Sequence, residues 1–180
     1  DDVFSTYLYE GNSTARSITT GIDMTKGGLT WIKDRDNAYN HVLQDTVRGA
    51  GATTKLSSNL TAGQNDGDNA IQWSGYISAF NNNGFSLDKT GSGSIDWANV
   101  NKSGDDYVSW SFRKQKGFFD IVQYSGNGSG YARTIDHNLG SVPGFIALKK
   151  YSQSGSWVVY HRDLVANGYL NLNTTIHAQT

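Results

Sequence analysis

Polar and apolar residues alternate strictly along Tyr107-Val108-Ser109-Trp110-Ser111-Phe112, with Tyr, Ser and Ser on one side and Val, Trp and Phe on the other. A period of two marks a strand with one buried face. Phe4-Ser5-Thr6-Tyr7-Leu8-Tyr9 and Leu29-Thr30-Trp31-Ile32-Lys33 are rich in aromatic and β-branched residues, which suit strands. Phe145-Ile146-Ala147-Leu148 and Trp157-Val158-Val159-Tyr160 are unbroken apolar runs, the pattern expected of strands between two packed sheets. The pairs Asp66-Gly67, Asn83-Gly84, Asn127-Gly128 and Asn167-Gly168 suit tight turns, because Asn and Gly accept positive φ. Only residues 40–48 approach a helical pattern. These signals predict an all-β chain, an antiparallel β-sandwich of short strands.

The order of motifs repeats. Phe4…Tyr9-Glu10-Gly11-Asn12…Ile18 recurs as Phe119…Tyr124-Ser125-Gly126-Asn127…Ile135. Gly28-Leu29-Thr30-Trp31-Ile32-Lys33 recurs as Gly144-Phe145-Ile146-Ala147-Leu148-Lys149. Arg48 then falls opposite Arg162, and Leu56 opposite Leu170, at an offset that stays between 114 and 117 residues. An ordered series at near-constant offset points to internal duplication. The expected organisation is a complete sandwich module over 1–113, a basic linker at 114–117, and a partial second copy over 118–180. That second copy lacks a counterpart to 64–113, including the 107–112 strand. Half a sandwich leaves a sheet face and its edges open. The second copy must therefore pack on the first, be completed by a neighbouring chain, or continue in further sequence; the reading favours the last two.

Composition narrows the function classes. The chain has 180 residues, no Cys, one Met, one Pro and a net charge of −1. Disulfides and thiolate metal sites are excluded. No basic field is present to hold a phosphate backbone, so nucleic acid is not an expected partner. No apolar run approaches the ~20 residues that span a bilayer as a helix, so membrane insertion is not expected. Gly, Ser, Asn and Thr make up 71 of the residues, while aromatics reach 12%, which separates the chain from a disordered linker.

The chemistry-bearing residues are sparse. Glycoside hydrolysis needs two carboxyl groups flanking a bond. The chain has one Glu, Glu10, in a turn context, and Asp34/Asp36 and Asp105/Asp106 are likewise expected in turns, with no acid inside a strand. The reading is therefore non-enzymatic, with no required cofactor. Asn65-Asp66-Gly67-Asp68-Asn69 gathers hard oxygens around a Gly, so Asp66 and Asp68 are candidate calcium ligands, although an ordinary polar turn has the same composition. The four His show no paired metal spacing. Aromatic rings stack on sugar faces while amides and carboxylates bind hydroxyls. Trp31, Trp110 and Trp157 lie in apolar strands and are expected in the core. Trp73, Tyr76 and Trp97 lie in polar, Gly-flanked stretches and are the candidate sugar contacts, with core or subunit contact as the alternative.

A family resemblance rests on several of these motifs together. Phe4-Ser5-Thr6-Tyr7-Leu8-Tyr9-x-Gly11-Asn12, Gly28-Leu29-Thr30-Trp31-Ile32-Lys33 and Asp45-Thr46-Val47-Arg48-Gly49 form one series. Phe80-Asn81-x-x-Gly84-Phe85-Ser86-Leu87 and Asn101-x-x-Gly104-x-x-Tyr107-Val108-x-Trp110-x-Phe112 continue it. The series resembles a repeated concanavalin A-like, laminin-G-like module of marine phage (cyanophage-type) tail-fibre and virion structural proteins. The resemblance implies a jelly-roll sandwich and a place in an extracellular particle made in the host cytoplasm. It also implies other virion proteins as partners, a homo-oligomer, and attachment to a host surface glycan. It transfers no catalytic residue. A capsid decoration protein or a carbohydrate-binding lectin module are the alternative functions.

Overall fold

The computed structural model describes residues 2–64, 75–89, 99–175 and 178. Among these residues ten strands run in chain order: β1 (Phe4–Glu10), β2 (Arg16–Thr19), β3 (Gly28–Asp34), β4 (Val42–Asp45), β5 (Tyr76–Asn81), β6 (Gly84–Asp88), β7 (Asp106–Arg113), β8 (Phe145–Leu148), β9 (Val158–His161) and β10 (Leu170–Asn171). Among the described residues the only helical element is a 3-10 turn, Met24–Lys26, whose start Asp23 caps through the Thr25 N–H. The chain is all-β, and every strand pairing among the described residues is antiparallel.

Two sheets make the sandwich. One has the order β1-β7-β3-β4, the other β2-β6-β5. Their facing sides form the main core. Tyr9, Ile32, Val42 and Tyr107 come from the first sheet and Ile18, Ile77, Phe85 and Leu87 from the second. Met24 is fully buried in the 3-10 turn, and a Cβ at Gly28 would lie 2.9 Å from its Cε.

The buried face of β7 is the hydroxyl side. Tyr107, Ser109 and Ser111 are fully buried, whereas Trp110 and Phe112 are half-buried on the opposite face. Small side chains let the two sheets approach, and their hydroxyls find partners: Thr30 Oγ1 lies 3.4 Å from Ser111 Oγ, and Ser109 Oγ donates to the Tyr7 carbonyl at 3.4 Å. Tyr9 and Tyr107 stack, ring centres 5.3 Å apart, and the Tyr9 hydroxyl donates to the Val100 carbonyl at 2.6 Å.

Residues 40–48 are not helical. They hold β4, buried on both sides because Val42 enters the sandwich core and Leu43 a second cluster. A strand covered on both faces shows no alternation, which removes the sequence signal. The expected Asn83-Gly84 turn is displaced by one residue. Asn82 and Asn83 form the turn, and Gly84 opens β6 at φ 139°, where a Cβ would lie 2.0 Å from the Ile18 carbonyl oxygen.

A third sheet, β10-β9-β8, is joined to the outer side of the first through Trp157, the residue before β9, and Tyr151. Trp157 is its anchor, buried against Leu43 and Leu56, with its indole N–H donating to the Ser57 carbonyl at 2.8 Å. Residues 114–117 do not hang free between the two parts. Gln115 pairs with Phe119, and Lys114 Nζ lies 2.7 Å from the Asp120 carboxylate.

The β3–β4 and β8–β9 pairs share one register. Leu29↔Asp45, Thr30↔Gln44, Trp31↔Leu43 and Ile32↔Val42 correspond, 116 residues on, to Phe145↔His161, Ile146↔Tyr160, Ala147↔Val159 and Leu148↔Val158. The closing bonds correspond too. Thr46 N–H donates to the Gly28 carbonyl at 3.0 Å, and Arg162 N–H to the Gly144 carbonyl at 2.9 Å. Leu56 bridges Leu43 in the first part, and Leu170 pairs with Val159 in the second.

Candidate functional site

The outer face of β2-β6-β5 carries a cluster of hydrogen-bonding side chains at the surface. Alternation turns Ile18, Phe85 and Leu87 into the core, so Ser17, Ser86 and Asp88 point outward. Ser17 faces Ser86 across the β2–β6 ladder, their hydroxyls 3.0 Å apart. Asn81 Nδ2 donates to Ser86 Oγ at 2.9 Å. A bulge between Ile77 and Ala79 shifts the β5–β6 register and brings the Asn82-Asn83 turn beside this ladder. The result is an open cleft of about 530 Å³ lined by Ser17, Thr19, Phe80, Asn81, Asn83 and Ser86 among others.

Tyr76 stands at the start of β5, directly across from Asp88. Burial, and then the Asp88 carboxylate, raise its phenol above the ordinary value. Of the predicted contacts, Tyr76 is therefore on the same outward face as the Ser-Asn ladder. Trp73, Trp97, Asp66 and Asp68 lie outside the described residues. The Ser17/Asn81/Ser86 ladder escaped sequence reading, because its members are brought together across strands from positions as much as 69 residues apart. The alternation in Arg16-Ser17-Ile18-Thr19 and Phe85-Ser86-Leu87-Asp88 is the signal that places them outward.

Hydroxyls, amides and one phenol on an open face can exchange hydrogen bonds with sugar hydroxyls or with a polar protein surface. Several acids elsewhere serve loop closure. Asp34 Oδ1 accepts the N–H groups of Asp36 and Asn37 at 2.8 and 2.7 Å, and Asp36 Oδ2 accepts that of Asp106 at 2.6 Å. Lys102 Nζ lies 3.0 Å from the Asp105 carboxylate. Acids do occur within strands, contrary to the sequence expectation: Glu10, Asp34, Asp45 and Asp88 end strands and Asp106 begins one. At a strand end the carboxylate closes the following turn, as Asp45 does for Val47 and Arg48. Among the described residues no group of three or more His, Asp or Glu is placed to hold a metal ion. His41 is an acceptor, taking the Trp31 indole N–H at 2.7 Å on Nδ1, and burial followed by the Lys33 charge lowers its pKa.

Comparison with known proteins adds a family. A family model described as a domain of unknown function, DUF7483, matches residues 1–180. The chain belongs to that family. No curated protein matches it, and no solved structure does. The family match spans both the sandwich and the third sheet, so one family description covers the in-register strand pairs together.

Proposed function

We propose that the chain is a non-catalytic structural module of a phage particle, of the tail or tail fibre, working by assembly with other virion proteins. The observation that carries this reading is the recurrence of one strand pair in identical register 116 residues apart, with Trp157, just before the second pair, packed on Leu43 of the first. Repetition of a β unit is an economical way to build an extended particle component. The sequence resemblance to virion modules points the same way, and a concanavalin A-like, jelly-roll topology is compatible with the two packed sheets. Exposed apolar residues along the edge strand β1, with Leu8 58% accessible, offer subunit contact in a homo-oligomer.

Mass spectrometry of purified particles whose genome encodes the chain tests the reading. A few to tens of copies per particle are expected for a tail component. Hundreds would transfer the chain to capsid decoration, and absence from the particle would overturn the virion role. Laminarin treated with the protein should release no reducing sugar.

Attachment to host surface glycan is a second reading, favoured by the open Ser-Asn cleft with Tyr76 on the same face. A glycan array run in sea salt with and without calcium should show binding that Tyr76→Ala weakens by about tenfold, the loss of one good stacking or hydrogen-bonding contact. A blank array would leave assembly alone.

A further inference from the structure

In the first module β3 lies between two neighbours, β4 and β7. Its counterpart β8 has only β9, and is an edge strand among the described residues. Antiparallel ladders alternate the direction of backbone groups residue by residue. The bond from Arg162 N–H to the Gly144 carbonyl sets that alternation, so Ile146 and Leu148 point their backbone groups at β9. Phe145 and Ala147 therefore point theirs at the open edge. Their equivalents Leu29 and Trp31 spend the same groups on β7, opposite Phe112 and Trp110.

Two further observations lead to the same place. The face of β8–β9 equivalent to the sandwich core is apolar and uncovered: Ile146, Leu148 and Tyr160 are 37%, 43% and 41% accessible. The stretch matching β1, residues 119–124, forms no strand beyond the Gln115–Phe119 bridge. In the first module β1 has a single strand partner, and it is β7. One strand thus accounts for the open edge, the bare face and the unpaired stretch.

We propose that the β8 edge is an acceptor site for one added strand of β7 chemistry, laid antiparallel to β8 on the backbone groups of Phe145 and Ala147. The occupant alternates small hydroxyl residues, which face the Ile146/Leu148 side, with aromatic or β-branched residues on the other side. β7 of this same chain cannot serve, because β1 and β3 hold both of its edges. A second copy pairing β8 to β8 is the competing occupant. It would supply edge bonds but leave the 119–124 stretch without a partner.

The test uses the full chain and a fluorescein-labelled peptide of residues 105–114, with a scrambled peptide as control. Saturable anisotropy is expected for the native order only. Amide exchange at Phe145 and Ala147 should slow by at least about tenfold on binding, as ladder formation requires. Ala147→Pro removes an edge N–H without touching the β8–β9 bonds and should weaken binding by about tenfold or more. Phe145→Lys, which keeps the backbone groups, should weaken it less. Equal binding of the scrambled peptide, or binding that Ala147→Pro leaves unchanged, would overturn the proposal. So would amides at Phe145 and Ala147 that are already protected in a dimer that Ala147→Pro dissociates. If Ala147→Pro unfolds the third sheet, the exchange measurement on the unaltered chain decides alone.

Discussion

Gln44 is fully buried, and its amide serves three partners. Nε2 donates to the Gly51 carbonyl at 2.9 Å and to Thr54 Oγ1 at 3.0 Å, while Oε1 accepts the Ile77 N–H at 2.7 Å. That side chain ties β4 to β5 across the interior. Gln44→Leu keeps the volume but orphans a buried N–H, so denaturant unfolding should show a loss of about 1–3 kcal/mol. Lys55 gives a pH signature. It is almost wholly buried, and burial lowers its pKa to about 7. An unfolded Lys keeps its proton to roughly pH 10.4. Between those values the unfolded state binds the extra proton, so stability rises with pH; the penalty is full below 7 and gone above the unfolded value. Tyr9 and Tyr107 act oppositely. Burial raises both phenols, so above about pH 10 the unfolded state loses protons first and stability falls. The thermal midpoint should therefore climb from pH 7 to a maximum near 10, and Lys55→Met should flatten the climb.

At the level of elements, Trp157 connects β9 to the sandwich. Trp157→Ala should cost about 3–5 kcal/mol and free the β8–β9 amides to exchange while the β7 amides stay protected. Gly84→Ala should be comparably disruptive to β6, because the new methyl would meet the Ile18 carbonyl in a backbone conformation L residues avoid; a thermal midpoint unchanged by it would contradict the β2–β6 geometry. β7 was legible because it is half-covered on one side and so keeps an alternating pattern, and β1 and β3 because aromatic and β-branched residues crowd them. Which side of β7 faces inward was not legible: aromatic bulk suggests the Trp110 face, but the sheet separation accommodates Ser109 and Ser111. β4 misled for the reason that buries it, contact on both faces. The Phe145–Leu148 run reads as lying between sheets, yet among the described residues it lies at an edge, since continuous apolarity records what a strand is made to meet and not where that partner sits. The Ser17/Asn81/Ser86 cleft was hidden because a bulge and a ladder assemble it, and no local pattern encodes either. Tyr76 was singled out through its polar surroundings, and the structure sets it across from Asp88 at the start of β5.

Among the described residues the molecule is one sandwich with a smaller sheet joined to it, and Trp157, Leu56 and Tyr151 cover the apolar outer side of β3 and β4, Leu29, Trp31 and Leu43. No helix of the described chain is long and apolar enough to cross a membrane. The burial of Met24 has a consequence of its own. With no Cys in the chain, its thioether is the only sulfur present, and the fold shuts it away completely. Peroxide has no soft atom to attack until the polypeptide opens. Sulfoxide formation at that position, followed as the gain of one oxygen in intact mass, then becomes a clock for global opening. It should stay silent in native buffer and start to run only as denaturant approaches the unfolding midpoint.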